Sequence, residues 1–117
     1  MYSELPDADI VIVALPVNGS TSNLVDDKFF TLMKNDSILV NVSRGDVINE
    51  TDLINHLRRK KFHGVALDVF QNEPLESNNE LWGFSNVYIT PHNSFVSDKT
   101  DDRLFSIIKK NLSIRRD

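Results

Sequence analysis

The chain has 117 residues, with 40% apolar and 26% charged side chains, four Gly, four Pro and no Cys. These values fit one small globular domain and exclude a disordered or fibrous chain, a disulfide scaffold, thiol catalysis and cysteine zinc sites. A net charge of -4 argues against a nucleic-acid partner, and three scattered His have no metal-ligand spacing, so no metal is expected.

The start, Met1-Tyr2-Ser3-Glu4, lacks the basic and apolar regions of a signal peptide. The longest apolar run, Ile10 to Leu15, is far too short to span a bilayer, so the expectation is a cytoplasmic protein with no membrane partner. That run, closed by Pro16, reads as a first strand buried on both faces. A turn-rich loop follows from Val17 to Asn23. Asp26 is placed to cap a short helix carrying Phe29, Phe30, Leu32 and Met33.

Ser37 to Val42 is a second strand, and Ser43-Arg44-Gly45-Asp46 leaves its carboxyl end. Asn49 or Thr51 can cap the next helix, whose apolar stripe is Leu53, Ile54 and Leu57. His56 and His63 fall near its polar side and its exit and read as surface residues. The basic clusters Arg58-Arg59-Lys60-Lys61 and Lys109-Lys110 with Arg115-Arg116 sit where helices are expected to end, complementing their dipoles.

A third strand is predicted over Val65 to Val69, after Gly64. Phe70 to Ser85 has no periodicity, and loops of that length are usually functional or disordered. Trp82 and the phenylalanines read as core or loop packing. A short fourth strand, Asn86 to Ile89, ends at Thr90-Pro91-His92. A last helix from about Ser97 carries Leu104, Phe105, Ile108 and Leu112.

Alternating strands and helices predict an α/β fold, a parallel-sheet, Rossmann-like half-fold of three to four strands with crossover helices. In such sheets the ligand site lies beyond the carboxyl ends of the strands. Arg44, the segment Asp68 to Glu73, and His92 each follow a strand, so they are expected at one sheet edge. Singly, each has an ordinary explanation: a strand-end ion pair for Arg44, a strand cap for Asp68, a solvated loop residue for Glu73, a surface histidine for His92.

Taken in order, Asn41-Val42-Ser43-Arg44-Gly45-Asp46, Gly64-Val65-Ala66-Leu67-Asp68-Val69-Phe70, Glu73-Pro74-Leu75 and Thr90-Pro91-His92 resemble the D-isomer-specific 2-hydroxyacid dehydrogenases. The resemblance starts near Ala8-Asp9-Ile10-Val11 and covers nearly the whole chain. It implies hydride transfer between NAD, with NADP left open, and carbon 2 of a small 2-hydroxy or 2-oxo acid. It implies that Arg44 binds the substrate carboxylate, that His92 exchanges the hydroxyl proton, and that Glu73 orients His92. Asp68 would bond the nicotinamide amide, and Leu15, Pro16, Thr21, Val42 and Ser43 would lie along the cofactor. The chain departs from the family pattern at Ser94, where a small residue such as Ala or Gly is usual, and in the loop Val17-Asn18-Gly19-Ser20.

Gly19, Gly45, Gly64 and Gly83 are too far apart to form the glycine-rich turn that holds a pyrophosphate. The chain therefore reads as the carboxyl-terminal half of an NAD-binding domain over residues 1–96. A terminal helix over 97–117 would return toward a substrate domain. On this reading the chain works as part of a homo-oligomeric enzyme and is inactive alone. The alternative is a truncated, catalytically silent α/β module with a binding or dimerising role.

Overall fold

The computed structural model describes residues 2–94 and 96–114. Four parallel strands, β1 (Ile10–Val13), β2 (Ser37–Asn41), β3 (Phe62–Leu67) and β4 (Val87–Ile89), lie side by side in chain order. Helices α1 (Asp27–Leu32) and α2 (Glu50–Arg58) connect the first three strands, and α3 (Thr100–Ile114) follows the last. Short 3₁₀ turns at Tyr2–Asp7, Gly45–Val47 and Glu80–Gly83 complete the described elements.

Local chemistry starts the two connecting helices. The Asp26 side chain accepts from Phe29 N, and Asn49 accepts from Asp52 N, so each caps the orphan donors of a first turn. Between the two candidate caps of α2, Asn49 is the one used. Phe29 and Phe30 from α1, and Leu53 and Leu57 from α2, are buried with Leu39, Val65 and Leu67 of the sheet. One sheet face is thus covered at its centre, with Val11, Val87 and Ile89 partly buried toward its edges.

The other face is not, and this overturns the expectation of a first strand buried on both sides. Register places Ile12, Val40, Ala66 and Tyr88 in one row across the sheet, with Ile10 beside Ile38. Ile12 is 63% and Tyr88 68% exposed, because no described element packs over them. The strand is also shorter than expected: Ala14 and Leu15 are exposed and lie beyond the ladder. β3 starts earlier than predicted, at Phe62, whose ring is buried against Phe30 with 5.7 Å between centroids.

His56 is a second correction. It is buried rather than on the surface, with Nε2 2.8 Å from Asp27 Oδ1 and its ring 5.3 Å from that of Phe30. Contact between α1 and α2 turns this side of α2 inward, and the carboxylate at the start of α1 satisfies the buried ring. His63 is exposed, as expected.

The 70–85 segment is built rather than loose. Asn79 caps its 3₁₀ turn by accepting from Leu81 N, Leu81 is buried, and Arg58 pairs with Glu80. α3 starts at Thr100, later than predicted, and its residues 101–112 are all exposed, so its apolar stripe has no described partner. Lys109 and Lys110 lie inside α3 rather than at its end, whereas Arg115 and Arg116 lie outside the described residues.

Candidate functional site

At the carboxyl end of β2, buried Asn41 folds the chain over itself. Its Oδ1 accepts from Ser43 N at 3.0 Å and Ser43 Oγ at 2.8 Å, while its Nδ2 donates to Arg44 O at 3.1 Å. Arg44 emerges exposed, and its Nη1 donates to Ser43 O at 2.7 Å. Leu15, Pro16, Val42, Ser43 and Arg44 then line one cleft of about 450 Å³ beyond β1 and β2. Thr21 does not line it. Its hydroxyl donates to Pro16 O at 2.7 Å and accepts from Asn18 N, which shapes the loop behind the cleft.

A second cavity of about 520 Å³ opens beyond β3 and β4 and holds Glu73 and His92. Phe70, Leu75, Trp82 and Ile89 supply its apolar wall. Trp82 is therefore more than loop packing: it borders this cavity while its Nε1 donates to Glu76 O. His92 Nδ1 lies 2.8 Å from Glu73 Oε2, and Glu73 Oε1 accepts from Phe70 N at 2.9 Å. The pair is neither dry nor fully solvated, at 41% and 36% side-chain exposure.

The electrostatics follow from these bonds. The hydrogen bond from His92, helped by Phe70 N, holds the Glu73 carboxyl below its ordinary value against the effect of burial. Burial alone would raise Asp68, yet hydrogen bonds from Thr90, Ser94 and Asn93 outweigh it and hold that carboxyl far below the usual carboxylate range. A carboxylate lowered on folding stabilises the fold above its unfolded value, about 4, and that contribution is lost as pH falls. Urea midpoints should therefore drop between about pH 5 and pH 2, and drop less in Asp68→Asn. Equal slopes in the two proteins would contradict this linkage.

Of the residues singled out in the sequence, the structure joins Glu73 to His92 and brings Asp68 beneath the His92 loop. Arg44 falls in the first cleft, with Leu15, Pro16, Val42 and Ser43, and does not line the cavity of Glu73 and His92. Asp68 is 3% exposed, with both oxygens already hydrogen-bonded by that loop. Sequence reasoning passed over Asn41 as a builder of the strand end and Thr90, Asn93 and Ser94 as partners of Asp68. Only Asn41 left a signal, a polar side chain on the inward period of a buried strand.

Residues 2–94 match the profile of the family described as D-isomer specific 2-hydroxyacid dehydrogenase, NAD binding domain. The chain is 34% identical to a glyoxylate reductase of Pyrococcus horikoshii over 92% of its own length and 32% of the relative's. It is 33% identical to the human glyoxylate reductase/hydroxypyruvate reductase, over 90% of this chain and 32% of that one. Among solved structures, phosphoglycerate dehydrogenase from Lactobacillus plantarum superposes with a TM-score of 0.80 at 30% identity, covering 96% of this chain and 36% of that one. A D-isomer specific 2-hydroxyacid dehydrogenase from Xanthobacter autotrophicus Py2, in complex with NADPH and MES, gives 0.72 at 35% identity over 77% and 30%. The chain thus spans about a third of the length of the relatives it matches. Among the described residues, no helix is long and apolar enough to cross a membrane, and no cluster of three or more acidic or His side chains could hold a metal ion.

Proposed function

This chain belongs to the D-isomer specific 2-hydroxyacid dehydrogenases, and from that premise we propose that it carries the proton-transfer half of their active site. Residues 1–96 form the carboxyl-terminal half of the NAD-binding domain, and 97–117 form the segment leading back toward a substrate domain. The complete enzyme interconverts a small D-2-hydroxy acid and its 2-oxo acid, and the nicotinamide of NAD or NADP supplies the hydride acceptor or donor. The observation that carries this reading is the His92–Glu73 contact at the carboxyl edge of a parallel sheet.

The first cleft fits a nicotinamide riboside in kind. Leu15, Pro16 and Val42 offer apolar contact to a flat ring, and Ser43 and Arg44 offer polar groups at its border. Thr21 acts through the loop it closes, and the Asp68 carboxylate offers a single further acceptor position for an amide N–H. Arg44 would bind the substrate carboxylate with its planar, permanently charged fork, once released from Ser43 O.

Proton transfer falls to Nε2 of His92, because Nδ1 is committed to Glu73. With the proton on Nδ1, the Nε2 lone pair would take the substrate hydroxyl proton in the direction of oxidation. The imidazolium that results keeps both N–H bonds, one of them facing the Glu73 carboxylate that stabilises it. In the reverse direction Nε2 returns the proton to the carbonyl oxygen. We place this enzyme in the cytoplasm, and as a homo-oligomer, the latter reading favoured by the sheet face on which Ile10, Ile12 and Tyr88 are exposed.

A chimera tests the function directly. This chain would replace the matching third of one of its glyoxylate reductase relatives, and NADH oxidation would be followed over a panel of 2-oxo acids. Turnover is expected, with Arg44→Ala raising KM and lowering kcat. A folded, NADH-binding chimera without turnover would favour the silent α/β module.

A further inference from the structure

The resemblance assigns Asp68 to the cofactor, but its surroundings assign it other work. We propose that Asp68 is a positioning residue for His92: its carboxylate pins the chain on both sides of the histidine and so sets the imidazole against Glu73. Oδ1 accepts from Thr90 Oγ1 at 2.5 Å and from Asn93 N at 2.9 Å, and Oδ2 accepts from Ser94 N at 2.9 Å. These donors come from two residues before His92 and from one and two residues after it. Asp68 itself is tied to the sheet, with its N–H donating to Asn41 O, and Thr90 N donates to Leu67 O. The loop therefore hangs from the rigid end of β3 through one buried carboxylate.

The backbone of His92 shows why such an anchor is needed. Its φ is +54°, in the left-handed region that a β-carbon disfavours. Residues persist there only where their surroundings over-determine them. Three donors converge on Asp68 and no acceptor does, which suits an ionised carboxylate and no other small side chain. An Asn at this position would turn its own N–H₂ toward Ser94 N and leave two donors facing each other.

The inference rests on the reading of His92 as the proton-transfer group, but its test is independent of turnover. In the ¹⁵N-labelled chain, at a pH above the ordinary imidazole range, the ring nitrogen shifts of His92 report which nitrogen carries the proton. Wild type should show the proton on Nδ1, facing Glu73, and Glu73→Ala supplies the reference for a ring without that acceptor. Asp68→Asn should move the His92 shifts most of the way to that reference while those of His56 and His63 stay in place. Thr90→Val, which removes one donor and keeps the carboxylate, should move them part of the way.

A folded Asp68→Asn with wild-type His92 shifts would overturn the proposal. If Asp68→Asn does not fold, Thr90→Val decides: movement toward the reference supports the anchor, and unchanged shifts defeat it. Failure of the catalytic reading looks different. It would appear as a chimera whose His92→Ala variant turns over at the parent rate, with the ring shifts still as expected.

Discussion

Gly45→Ala should destabilise the protein by about 3 kcal/mol or more and take the candidate site apart with it. A β-carbon at this position would lie 1.9 Å from Phe70 C, 2.0 Å from Phe70 O and 2.4 Å from Gln71 N. All three are backbone atoms, so no rotamer change can make room. The chain after Arg44 must separate from the Phe70–Gln71 strand exit by more than an ångström. Phe70 N is the donor to Glu73 Oε1, so this separation also disturbs the carboxylate that faces His92.

The control is Gly19→Ala, where a β-carbon would meet nothing within 4 Å and φ is not positive. There the urea midpoint should move by less than about 0.5 kcal/mol equivalent. A Gly45→Ala protein as stable as Gly19→Ala would show that the close approach to Phe70 is not maintained in solution.

His92→Ala should lower kcat of the chimera by roughly 10²- to 10⁴-fold, the usual contribution of a positioned acid–base group, with KM changed little. The split is what the proposed roles predict: Nε2 of His92, left free by the Nδ1–Glu73 contact, would exchange the proton, and Arg44, in the other cleft, would bind the substrate charge. Glu73→Ala should cost turnover as well, since the ring is then free to carry its neutral proton on Nε2, where a base needs a lone pair. Stopped-flow measurement of NADH oxidation in single turnovers separates this loss from slow product release. Parent-like single-turnover rates in His92→Ala would remove the histidine from the reaction.

The uncovered sheet face shows how strand burial can be misread. Ile10 to Val13 is apolar at every position, the composition of a strand covered on both sides. That composition records the surroundings in which the strand is at its most stable. It does not say whether those surroundings are supplied within these 117 residues.

Much was legible from local rules. Apolar runs of strand length alternating with capped, stripe-bearing segments specify the four parallel strands and the two connecting helices, because periodicity and capping act within one or two turns. Asp26 and Asn49 were readable as caps for that reason. The order Arg44, Asp68, Glu73, His92, each just past a strand, was enough to put them at the carboxyl edge and to bring the family resemblance into view. What the sequence determined, then, is the fold class, the family and the edge at which the chemistry sits.

The tertiary structure alone decided which of those residues meet. Asp68 lies 22 to 26 positions from the donors it accepts, Glu73 lies 19 from His92, and Asp27 lies 29 from the buried His56. Contacts at such separations leave no periodic trace in the chain, since they depend on how elements dock rather than on how each one forms. So it fell to packing to bury His56, to set Arg44 apart in its own cleft, to leave Gly45 no room for a β-carbon, and to bring Thr90, Asn93 and Ser94 onto the Asp68 carboxylate.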